Sequence, residues 1–89
     1  MITKDNLTEL LNGLDKNQIE KCMNSNFDYI ALELHVFNVG GYLSISPVQW
    51  SEELNKELFD NGNILTDKDE FLQLVKESGT NNKNLLSYL

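Results

Sequence analysis

Leu7, Leu10, Leu11 and Leu14 recur at i, i+3, i+4 and i+7, the spacing of one helical face, and Thr3 stands ahead of them as an N-cap. Gly13 loosens the end of that helix. Asp15, with Gln18 three residues on, is a variant capping box that opens a second short helix with Ile19, Cys22 and Met23 turned inward. The two form a helical hairpin. From Phe27 the period drops from near 3.6 to 2. Ile30, Leu32, Leu34 and Val36 alternate with Ala31, Glu33, His35 and Phe37, the pattern of a half-buried strand. Asn38-Val39-Gly40-Gly41 marks a turn and a second strand follows, with Leu43 and Ile45 on the core face. A turn centred on Val39-Gly40 would set Val36 opposite Leu43, Leu34 opposite Ile45 and Phe37 opposite Tyr42. Centring it on Gly40-Gly41 shifts the pairing by two and keeps the faces.

Pro47 is expected to end the second strand, and Ser51 to cap a third helix, Glu52 to about Asp60, with Leu54, Leu58 and Phe59 inward. Asn61-Gly62-Asn63 stops it. Ile64 and Leu65 cross to Thr66, read as the cap of a fourth helix that carries Phe71, Leu74 and Val75 and closes at Gly79. The apolar tail Leu85-Leu86-Ser87-Tyr88-Leu89 docks as a helical turn or a short strand. The expectation is a single α+β domain over residues 1–89, ordered α-α-β-β-α-α, around a two-stranded antiparallel hairpin.

Composition narrows the function. Seven lysines, no arginine and 14 Asp/Glu give a net charge of −7, so no basic stripe exists to neutralise phosphates and direct nucleic-acid binding is not expected. The longest uncharged span, Leu34 to Ser51, contains Gly40-Gly41 and Pro47 and reads as strand and turn, so no membrane span is expected. Charges at Lys4 and Asp5 precede any apolar stretch long enough for a signal peptide, and Cys22 is the lone cysteine. Both features suit a cytoplasmic protein.

Chemistry-bearing motifs are sparse. The run Phe59 to Phe71 resembles an EF-hand calcium loop in its residue vocabulary, but the spacing fails. With Gly62 at the glycine position, Phe59 and Lys68 fall where oxygen ligands belong. Counting from Asp60 instead puts Leu65 at the glycine position and Phe71 at the final carboxylate. No metal and no cofactor is expected. His35 shares the polar face of its strand with Glu33, yet Ser44 and Ser46 read as outward strand residues, and no set of base, orienting group and oxyanion site is assembled. An enzyme is not expected.

The acidity itself is clustered. Glu52, Glu53, Glu57, Asp60, Asp67, Asp69 and Glu70 fall within 19 residues, against Lys56 and Lys68. Glu53, Glu57 and Asp60 follow i, i+4 and i+7 on one helix face, while Asp67 and Glu70 share a face of the next. These five are the expected partner-binding residues, facing a basic protein such as a nuclease or another nucleic-acid-binding protein. In size, charge and hairpin-plus-helix layout the chain is similar to the acidic anti-CRISPR and anti-restriction proteins of phages and mobile elements, which mimic DNA; no motif is shared with them. The likeness implies a small inhibitor. The alternative is a structural or regulatory homodimer, joined through hairpin edges or the apolar tail, whose acidity serves solubility. Tyr29, Phe37, Tyr42 and Trp50 make up an uncharged aromatic set upstream of the acids.

Overall fold

Thr3 extends its backbone and accepts a hydrogen bond from Asn6 N–H, while Asn6 Oδ1 accepts from Thr3 N–H at 2.7 Å, so α1 (Lys4–Asn12) opens on a full capping box. At α2 (Lys16–Met23), Asp15 accepts from Gln18 N–H at 2.8 Å. The computed structural model describes residues 1–89 and continues with β1 (Tyr29–Val36), β2 (Gly41–Val48), α3 (Glu52–Asp60), β3 (Ile64–Asp67), α4 (Lys68–Ser78) and α5 (Lys83–Leu86). No helix is long and apolar enough to cross a membrane.

The sheet has three strands, not two. Its order is β2-β1-β3, antiparallel throughout, with Ile30 opposite Thr66 and Leu32 opposite Ile64. Residues 64–67, read from sequence as a crossing, are a strand because β1 offers them a ladder. Asn63 Oδ1 extends that ladder by accepting from Leu34 N–H at 2.9 Å. The fourth helix therefore starts one residue late. Asp67 is its N-cap, accepting from Glu70 N–H at 2.7 Å, and Thr66 stays in the strand, buried, with its hydroxyl unpartnered.

The hairpin keeps the expected faces with a different register. Val36 pairs with Gly41, Leu34 with Leu43, Leu32 with Ile45 and His35 with Tyr42, so the turn centres on Asn38-Val39 and Phe37 N–H bonds Gly40 O at 2.9 Å. Gly41 explains the shift. A Cβ there would meet His35 O at 2.6 Å, an approach only glycine allows, whereas Gly40 supplies a φ of +83° just before it. Pro47 lies inside β2, opposite Ile30, rather than after it. β2 is an outer strand, and alternation from the Phe37–Gly40 pair points the nitrogen of Pro47 away from β1, where no ladder bond is lost.

Twelve buried residues form the core: Leu7, Leu11 and Leu14 from the first helix and its turn, Ile19 and Cys22 from α2, four strand residues, Phe71 and Val75 from α4, and Leu85 from α5. The tail thus docks as a helical turn. It is stitched in by Asn82 Nδ2, which donates to Leu11 O and Leu14 O at 2.9 Å each, and by the Thr80 hydroxyl, which donates to Asn12 Oδ1. α3 lies against β3, with Leu58 buried outside the main cluster. Phe59, expected inward, is 79% exposed.

Candidate functional site

Ser51 caps α3 by accepting from Leu54 N–H at 3.0 Å, and Leu58 holds the helix down. The helical period then sends Glu53, Glu57 and Asp60 outward, and all three are exposed. Asp60 pairs with Lys56 at 3.0 Å on the surface. On α4, Glu70 is exposed, whereas Asp67 is partly buried and commits one oxygen to the cap. Glu53, Glu57 and Asp60 therefore stand on α3 and Glu70 on α4, whereas Asp67, expected on a helix face with Glu70, ends β3 as the α4 cap; β3 supports both helices.

Compensation is scarce. The ion pairs are Lys16–Glu20 and Lys56–Asp60, so twelve of the fourteen carboxylates have no cation within 4 Å. Lys68, which the sequence sets against the acids, turns its ammonium to the end of α2 and donates to Ser25 O at 2.7 Å and Met23 O at 3.3 Å. Nowhere do three carboxylate, histidine or cysteine side chains come together closely enough to hold a metal ion. The Asp60–Glu70 run is consumed by a helix end, a strand and a cap.

On the hairpin's outer face, His35 Nε2 and Ser44 Oγ share a hydrogen bond of 2.8 Å, and the imidazole stacks on Tyr42 at 4.7 Å and 15°. A turn on Val39-Gly40 would set His35 directly opposite Ser44; in the observed register His35 faces Tyr42, and Ser44 reaches it as a diagonal neighbour. No third group orients the ring, and the stacked phenol occupies its face, so the pair reads as a surface tie across the strands. The far end of the hairpin is apolar and open: Val36, Phe37, Val39 and Tyr42 are all exposed, Val39 to 93%. Val36 lies on the core-facing side of β1 but beyond the reach of the helices, beside a cleft of about 390 Å³ whose other walls include Leu10, Leu34 and Leu43.

Cys22 is buried, and desolvation pushes its thiol up to about 11 against the smaller opposing pull of Lys21 and Lys68. It is a core residue without nucleophilic character at neutral pH.

Compared with protein-family models, curated proteins and solved structures, the chain matches none.

Proposed function

We propose that this chain is a small, non-enzymatic acidic binding protein that occupies a basic partner of the nucleic-acid-binding type, in the manner of an inhibitor encoded by a phage or mobile element. The observation that carries the reading is the uncompensated charge. Twelve carboxylates lack a cation within 4 Å, Glu53 and Glu57 among them, and these two project from a helix fixed to the sheet beside Asp60, which pairs with Lys56 on the surface. Such a field draws a cationic groove in and accelerates encounter with it. Glu70, and the free oxygen of Asp67, extend it onto α4.

The test uses a partner recovered by pull-down from host lysate, titrated with the native protein and with a variant carrying Glu53→Lys, Glu57→Lys and Asp60→Lys. Native binding should weaken steeply with salt and be displaced by duplex DNA. The variant should stay folded by circular dichroism and lose binding, because exposed charges contribute little to stability. Unchanged affinity and an unchanged salt slope would overturn the reading.

One observation favours a second reading, a homodimer. The hairpin end bearing Val36, Phe37, Val39 and Tyr42 is apolar and carries no charge, so two copies meeting there would keep their acidic faces apart. Sedimentation at low and high salt separates the two, since an apolar dimer persists as salt rises.

A further inference from the structure

At the end of the sheet remote from the hairpin turn, Tyr29 pairs with Val48 on one side and Asp67 on the other. Directly opposite residues of antiparallel strands point to the same face, and Tyr29 and Asp67 line one cleft there. Phe27 and Asp28 lead into β1 here, and Gln49 and Trp50 lead out of β2. Two adjoining clefts result. One, of about 410 Å³, is lined by Phe27, Asp28, Tyr29 and Trp50 together with Asn26 and Gln49; the other, of about 430 Å³, by Asp28, Tyr29, Asp67, Lys68 and Asp69. Asp28 and Tyr29 wall both.

Phe27 and Trp50 are left 47% and 49% exposed around this depression. None of the three carboxylates is in an ion pair. Asp67 commits one oxygen to the α4 cap and keeps the other, while the ammonium of Lys68, the one cation in the wall, is held against the carbonyls at the end of α2. An anion would be repelled by three carboxylates. A metal ion is not suited either, since these carboxylates do not converge on a point. A planar cation answers both halves of the site: guanidinium stacks on aromatic faces and forks its N–H groups to carboxylates.

We propose that this aromatic and acidic cleft receives an arginine side chain from a basic protein segment, stacked against Trp50 and Tyr29 and hydrogen-bonded to Asp28 and its neighbours. The inference rests on the reading of the chain as a binder of a basic partner, and adds a second contact away from the outer face of α3. Trp50 is the only tryptophan, so its fluorescence reports on the cleft directly. The experiment titrates the full chain with a short arginine-containing peptide and with the same peptide carrying citrulline, the neutral isostere. The arginine peptide should produce a saturable change in Trp50 emission and the citrulline peptide none. Asp28→Asn and, separately, Asp69→Asn should each weaken the arginine response at least fivefold in chains that remain folded by circular dichroism. The Glu53, Glu57, Asp60 triple Lys variant should still show the Trp50 change. If citrulline acts as well as arginine, or if arginine binds without moving Trp50 and without sensing Asp28→Asn, the cleft is refuted and the α3 face stands. If the arginine peptide does not bind at all, the cleft is refuted, while the α3 face is decided separately by the triple Lys variant against the recovered partner.

Discussion

Replacing Thr66 by valine should make the protein more stable, although it removes a residue that the sequence presents as a helix cap. Thr66 is 3% exposed, opposite the fully buried Ile30, and its Oγ1 has no hydrogen-bond partner. Leaving a buried hydroxyl unpaired costs about 1–3 kcal/mol. Valine keeps the shape and the β-branched stiffness of threonine while putting a methyl group where the hydroxyl was. A net gain of roughly 1–2 kcal/mol is expected, which for a domain of this size raises Tm by about 5–15 °C. The adjacent residue should behave in the opposite sense. Asp67→Ala removes the acceptor of Glu70 N–H and should cost about 1 kcal/mol, whereas Asp67→Asn, which keeps an acceptor, should cost less. Urea unfolding followed by circular dichroism measures all three, with constant m-values as the check on two-state behaviour. If Thr66→Val lowered stability by 1 kcal/mol or more and Asp67→Ala were neutral, the cap would belong to Thr66 and the β3 register would be wrong.

Gly41→Ala should be severely destabilising because the added Cβ meets a backbone oxygen at 2.6 Å, while Gly40→Ala, open to solvent but at positive φ, should cost about 1 kcal/mol; thermal melts of the pair test the hairpin register. Ile45→Ala should cost roughly 2–4 kcal/mol and the half-buried Leu34→Ala less, with Glu33→Ala within about 0.5 kcal/mol of wild type in urea melts. Cys22 should resist a thiol reagent at pH 8 until urea is added. Its folded pKa is about 11 against an ordinary 9.0, so its stabilising contribution is present below pH 9 and fades as pH rises through 11, which an alkaline series of melts would show.

The parts of this fold that follow from local chemistry were readable in advance. Thr3, Asp15 and Ser51 cap the helices they precede, and the alternation from Ile30 to Val36 assigns the hairpin faces, since capping and pleat need only near neighbours. What failed depended on distant residues. Four residues, Ile64–Asp67, are too few to show a period, and they form β3 only because β1 lies beside them. The register turned on how closely Gly41 approaches His35, and the exposure of Val36 on where the helices stop. Among the five expected partner-facing residues, helical spacing put Glu53, Glu57 and Asp60 on one face of α3, where all three are exposed, but the cap role of Asp67 was hidden by the neighbouring threonine. The aromatic cleft was illegible for a different reason: Phe27, Tyr29, Trp50 and Asp69 come from three separate segments, and only the sheet brings them together.

The polar side chains that hold this chain together are mostly uncharged. Thr3 and Asn6 close one helix end, Asn63 finishes the sheet, Asn12, Thr80 and Asn82 bind the tail, and Ser51 opens α3; among the acids only Asp15 and Asp67 serve as caps. The acidic surface and the scaffold are thus written in largely separate letters of the sequence. Substitutions among the remaining carboxylates leave the scaffold's hydrogen bonds untouched, so the surface charge is free to drift, and a lineage under pressure from a changing partner could rewrite that surface repeatedly while inheriting the same fold.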